Sequence, residues 1–133
     1  MDVYIAAEAF TFLEAQALAS KKRRGSGILI GHIRGRRFFV ETIYPCPEKE
    51  YTTEAGFWSL QEIFSQRIIG FYSTTSGSRS ASRLFRPFAC GKLFLRVGIL
   101  PRNRLSLHPL VIEFDGAFSL QPIPLSRLPR GSK

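Results

Sequence analysis

Two short apolar runs limit what this chain can fold into. Gly27-Ile28-Leu29-Ile30-Gly31-His32-Ile33 and Ile68-Ile69-Gly70-Phe71-Tyr72 carry apolar residues at consecutive positions. Both fall far short of the ~18 residues of a membrane span, and both have strand length. A strand that is apolar at every position must be covered on both faces. The first run turns at Arg34-Gly35-Arg36-Arg37, where Gly35 can take a positive φ, and returns over Phe38 to Tyr44. Pro45 and Pro47 end that return. The second run leads into Ser73-Thr74-Thr75-Ser76-Gly77, small hydroxyl residues at the place where a site opens at a strand end.

The rest of the chain supplies the cover and the sheet edges. Asp2 to Ile5 reads as a short strand. Ala6 to Ser20 reads as a helix, with Phe10, Leu13 and Ala17 on one face and Phe12 and Leu18 widening it. The run Lys21-Lys22-Arg23-Arg24 follows at its C-terminal end, where the helix dipole favours cations. After a polar loop from Glu48 to Gly56, a second helix is predicted over Phe57 to Gln66. Phe57, Leu60 and Phe64 mark its face, Ile63 thickens it, and Thr52 or Thr53 caps it. A Ser/Thr/Gly loop from Thr74 to Ser82 and a short helix within Ala81 to Cys90, interrupted by Pro87, lead to a strand over Lys92 to Leu100. Leu105 to Phe114 is the next strand, with Pro109 marking an edge or a bulge. Asp115-Gly116 is a hairpin turn, and Ala117 to Ile123 returns from it. The expected fold is α+β (mixed α/β): one domain over residues 1–125, a mostly antiparallel sheet of about six or seven strands flanked by two main helices. A flexible basic tail is expected over 126–133.

Composition agrees with one packed domain. Of 133 residues 44% are hydrophobic, 12 of them Phe, enough for a sizeable core. Met1-Asp2-Val3-Tyr4 has neither the basic start nor the apolar stretch of a signal peptide, so a cytoplasmic protein with no membrane segment is expected. Cys46 and Cys90 fit no zinc or redox spacing, and no disulfide is expected. Cys90 reads as a small core residue and Cys46 as a loop residue between prolines. The net charge is +9. It gathers in the run 21–24, at Arg34, Arg36 and Arg37, and at Arg79, Arg83 and Arg86. Such density can attract nucleic acid or another polyanion, and it can equally serve as a solvated face.

The order of elements and several short motifs resemble the JAB/MPN (Mov34) family. Gly27-Ile28-Leu29-Ile30-Gly31 after the first helix is similar to that family's Gly-Leu-Leu-Gly strand, and the partner strand ends in Pro45. Ile69-Gly70-Phe71-Tyr72 after the second helix is similar to its Val-Gly-Trp-Tyr, which leads there into His-Ser-His-Pro. Active members are zinc-dependent isopeptidases or peptidases. Two His and an Asp hold the metal, and an upstream Glu activates its water. The resemblance places the two His at Ser73 and Thr75, the proline at Ser76, the Glu near Arg24 and the Asp near Arg86 or Pro87. Between Ile63 and Leu107 the chain has no Asp, Glu or His. A neutral hydroxyl is a poor zinc ligand and a nearby arginine repels the cation. The resemblance therefore implies a pseudoenzyme with no cofactor, no metal site and no catalytic residue of this type.

Other chemistry finds less support. His32 and His108 read as surface residues, because no acid or second His is near in sequence. Ser73 to Ser76 have no base and orienting acid within a motif. Gly25-Ser26-Gly27 precedes a strand, not the helix a phosphate loop requires. Ser78, Arg79, Arg83 and Arg86 could form an anion-binding loop. Phe57, Trp58, Phe85 and Phe88 are candidates for an interface, with core packing the competing role. Two functions follow as expectations. One is a non-catalytic JAB/MPN-like interaction or scaffold domain, paired with another MPN-like subunit, with a ubiquitin-like protein or with its own copy as a homodimer. The other is a small basic protein that binds nucleic acid or a polyanion.

Overall fold

The computed structural model describes residues 1–19, 25–74 and 82–127. Its order is β1 (Asp2–Ile5), α1 (Ala7–Ala19), β2 (Ser26–Arg34), β3 (Arg37–Pro45), α2 (Glu54–Ile63), β4 (Ile68–Ser73), β5 (Leu93–Leu100), β6 (Arg104–Phe114), β7 (Phe118–Pro122) and β8 (Leu125–Arg127). Short 3-10 turns cover Glu48–Glu50, Pro87–Ala89 and Pro101–Asn103. All eight strands form one sheet in the order β7-β6-β5-β4-β2-β3-β1-β8.

The α+β class holds, but the sheet is larger and more mixed than expected. Eight strands replace six or seven. The pairs β2·β3, β2·β4, β5·β6 and β6·β7 are antiparallel, while β1·β3, β1·β8 and β4·β5 are parallel. Each parallel pair is joined by a long connection, as parallel neighbours require, and the hairpins β2·β3, β5·β6 and β6·β7 are antiparallel; β2·β4 is antiparallel although β3 and α2 lie between its strands. The extra strand, β8, crosses the domain boundary expected at residue 125. Residues 128–133 of the expected tail lie outside the described residues.

The sheet is covered on both faces, as its apolar runs require. On one face α1 buries Ala9, Leu13 and Ala17 against Val3, Ile5, Leu29, Val40 and Tyr72. On the other, Phe57 and Leu60 of α2 meet Ile28, Ile68, Phe71 and Phe94. Phe12 is largely exposed, so the stripe on α1 is narrower than expected. The α2 helix starts at Glu54, capped by Thr53, whose hydroxyl accepts from the Gly56 N–H at 3.1 Å. It stops at Ile63 rather than Gln66, because Ser65 and Gln66 take positive φ (55° and 63°). That early stop leaves Ile63 69% exposed. Gln61 is buried instead, and its amide accepts from the Ile68 N–H (3.0 Å) and donates to the Ile68 carbonyl (3.3 Å), as a neighbouring strand would.

Two bulges adjust the centre. The β2–β3 register skips at Ile30/Gly31, and the β2–β4 register skips at Leu29/Ile30. Val40 and Ile43 thus face one side although three residues apart, and Ile68 and Phe71 face the other in the same way. Gly31 sits at the first bulge, where a Cβ would lie 1.8 Å from the Phe39 carbonyl oxygen. Pro109 is not at a sheet edge along all of β6. Its carbonyl points to the β7 side, accepting from Ile123 N–H at 3.2 Å, and β7 ends at Pro122. The missing N–H therefore lies on the side of residue 123, just past the end of β7.

Candidate functional site

Of the residues expected to form a degenerate site, Ser73 is described; it ends β4, and the sheet register defines its neighbours. Ser26 pairs with Ser73, Ser73 with Arg96, and Arg96 with His108. Directly paired residues share a face, so these four side chains form one row across β2, β4, β5 and β6. Two residues further into the sheet, Ile28, Phe71, Phe94 and Leu110 form the next row on that face. All four belong to the core under α2. The polar row is the rim of that core.

The hydroxyls of Ser26 and Thr74 hold backbone. Ser73 is 1% exposed. Ser26 donates to the Cys46 carbonyl at 3.0 Å. Thr74 Oγ1 accepts from the Gly25 N–H (2.7 Å) and donates to the Gly25 carbonyl (3.1 Å), fixing the entry to β2 against the exit of β4. Burial in this corner suppresses ionisation. It pushes the Cys46 thiol up to about 12, with Glu50 adding to the effect. Burial likewise raises the Tyr51 and Tyr72 phenols, the first only partly offset by the nearby Ser26 hydroxyl. The hydroxyl of Tyr72 donates to Gln16 of α1.

Arg96 is the member of the row that sequence reasoning passed over. It is the one charged residue in Leu93–Leu100, and it shares parity with buried Phe94. That parity was the available signal. Its Nε is closed to solvent and has no hydrogen-bond partner among the described residues. Arg96 and exposed His108 line a depression of ≈ 400 Å³. The His108 ring lies 2.6 Å from Ser106 Oγ through Nε2.

The other expected site residues scatter. Arg24, Thr75, Ser76, Ser78 and Arg79 lie outside the described residues. Arg83 pairs with Glu48 at 3.2 Å. Arg86 lines a separate depression with Thr52, Thr53 and Glu54. Phe57 is fully buried, stacked on Phe88 at 4.7 Å, and supports the surface from below. Trp58 is 48% exposed. Phe85 stacks on Phe118 (5.5 Å), which meets Phe114 edge-on (5.0 Å). Phe114, 56% exposed, lines an almost wholly apolar depression of ≈ 370 Å³ with Pro87, Cys90 and Phe118. The two cysteines exchange their expected places: Cys46 is buried, and Cys90 is exposed beside the turn at Gly91.

A second cluster sits at the β2–β3 hairpin. The bulge aims Glu41 at two partners: His32 Nδ1 at 2.5 Å, and the Arg67 guanidinium. Arg67 first, then His32, holds the Glu41 carboxyl below its usual range. The acid partner of His32, distant in sequence, is thus supplied by strand pairing. His32 also stacks on Phe39 (5.0 Å, 8°), and the guanidinium carbons of Arg34 and Arg37 lie 5.9 and 6.0 Å from that ring's centre. Arg37 is bound through both arms to Asp2. Asp2, Arg34, Arg36, Arg37 and Phe39 line a depression of ≈ 540 Å³. His32 and His108 are not brought together, since β4 and β5 lie between their strands. Among the described residues no three His, Cys, Asp or Glu side chains are placed to hold a metal ion, and no helix is long and apolar enough to cross a membrane.

No family model matches the sequence, and no curated protein sequence matches it. Solved structures do match. One is the solution structure of protein DSY2949 from Desulfitobacterium hafniense, 15% identical, with a TM-score of 0.63 over 95% of this chain and 94% of that one. At that identity the likeness establishes a shared fold over nearly the whole chain and nothing of activity.

Proposed function

We propose that this chain is a non-catalytic, JAB/MPN-like interaction domain, a pseudo-isopeptidase that pairs with another domain of its own kind, its own copy being the simplest partner. The observation that carries the reading is the aromatic surface of Phe114, Phe118, Phe85 and Pro87 around an apolar depression. Large exposed aromatics over a supporting core are the material of interface anchors. The acid-free interval from Ile63 to Leu107 supports the non-catalytic part, because it leaves no ligand at the end of β4 for a zinc-bound water.

A second reading, polyanion binding, rests on Arg34, Arg36 and Arg37 around Phe39. Salt separates the two. Copies of a chain with charge +9 repel, so pairing through an apolar face strengthens as salt rises. Polyanion binding weakens steeply. The test is zinc content and solution mass on one purified sample, at low and high salt, beside Phe114→Ser. Zinc-free protein whose association rises with salt and drops in the variant is the expected result. Stoichiometric zinc would overturn the non-catalytic reading. A single-chain mass at every concentration and salt would overturn the pairing.

A further inference from the structure

We propose that the depression at Arg96 and His108 binds a carboxylate carried on an apolar body. This site lies six residues along β6 from Phe114 and goes beyond the pairing proposed above.

The argument begins with charge. Arg96 projects from the middle of an apolar strand onto the rim of the α2-side core. Its Nε has lost water and gained no acceptor. No ion pair involves it among the described residues. The chain itself has no carboxylate between Ile63 and Leu107 to offer. A guanidinium partly withdrawn from water without a counter-charge is costly to hold. An anion that docks on the open end of the guanidinium supplies the missing counter-charge, and part of the desolvation has already occurred on folding.

The walls select the kind of anion. Leu107, Leu110, Pro122 and Ile123 border the depression, and Arg96 and His108 are its only charged or ionisable groups among the described residues. One planar guanidinium matches one carboxylate through two parallel hydrogen bonds. A phosphate is best held by several cationic donors from different directions, whereas the one arginine here favours the flatter carboxylate. The apolar border instead rewards an aromatic or branched aliphatic body. A volume of ≈ 400 Å³ lies within the range of small-ligand sites, about 300–1,000 Å³. Two sources share this chemistry: a small aromatic or aliphatic acid, and the carboxyl terminus of a chain that ends in an apolar residue.

The experiment follows the Arg96 Nε–H signal in 15N-labelled full-length protein, assigned by its loss in Arg96→Met. Benzoate stands for the small acid, N-acetyl-leucine for the chain end, benzamide for the body without charge, and inorganic phosphate for charge without the body. Saturable shifts are expected with benzoate or N-acetyl-leucine, and the tighter of the two names the source. Phosphate and the Arg96→Met variant are expected to bind at least about tenfold more weakly. Arg96→Lys keeps the charge and loses the fork, and it is expected to bind with intermediate strength. It decides the matter if the Met variant does not fold. The proposal is overturned if neither carboxylate gives a saturable shift, if benzamide or phosphate binds as well as both, or if the variants bind like the parent protein.

Discussion

Replacing Arg96 by Met should stabilise the protein. A buried donor left without an acceptor costs about 1–3 kcal/mol. Here only Nε is sealed, and the residue as a whole is half-buried, so the low end applies. Met keeps the unbranched stem that lies beside Phe94 and removes the polar atoms. The expected gain is about 1 kcal/mol, which for a domain of this size raises Tm by about 3–5 °C. Urea unfolding measures it directly: the midpoint should rise with the m-value unchanged. Arg67→Met is the matched control, since that arginine has a carboxylate partner in Glu41. The pair is largely exposed, so its loss should cost under about 1 kcal/mol, with the opposite sign. Benzoate should raise the midpoint of the parent protein and leave that of Arg96→Met in place, because only the form that binds is stabilised by mass action. A midpoint that falls in Arg96→Met at constant m-value would refute the reasoning: the guanidinium would then be satisfied where it stands.

Gly31→Ala should be severely destabilising, about 3 kcal/mol or more, because its Cβ would overlap backbone at the Phe39 carbonyl rather than a movable side chain; chemical denaturation checks it. Thiol labelling at pH 8 should modify exposed Cys90 quickly and Cys46 only at the rate of unfolding, since burial holds the Cys46 thiol neutral up to about 12. The same burial sets an alkaline limit. Cys46, Tyr51 and Tyr72 all have raised values in the folded chain, so their contribution is complete below the ordinary thiol value of 9.0 and is lost as pH climbs toward about 12. Unfolding followed by circular dichroism from pH 8 to 12 should show this loss, and Cys46→Ala should reduce its steepness.

Much of the fold was legible because it rests on local rules. The consecutive apolar residues at 28–30 and 68–72 required cover on both faces, and the helices lie on opposite faces. Gly35 and Gly116, with φ of 60° and 79°, sit at the two hairpin turns read from Arg34-Gly35-Arg36-Arg37 and Asp115-Gly116. What escaped depends on distant partners. The parallel pairing of β1 with β3 and β8 leaves no periodic mark in either strand. The exchange of Cys46 and Cys90 followed from composition of the neighbours alone, whereas burial is set by Ser26 and Tyr51 closing over one and by the Gly91 turn exposing the other. Glu41 became the partner of His32 through a bulge that no local pattern announces.

The polar row explains why a hydroxyl-rich strand end need not be reactive. A nucleophilic serine or threonine needs a base within hydrogen-bond reach, and a metal ligand needs a lone pair not already engaged. Ser26 and Thr74 spend their hydroxyls on the backbone of residues 46 and 25, so that β2 and β4 close against each other where the chain enters and leaves the sheet. That use is structural and requires no acid, which agrees with a segment that has none. The charge at this end of the sheet comes instead from one strand further along, at Arg96, and it is positive. A zinc ion would be repelled there and an anion attracted. With an arginine and no acid beside the end of β4 among the described residues, the region favours an anion over a cation, and the carboxylate titration is the measurement that bears on it.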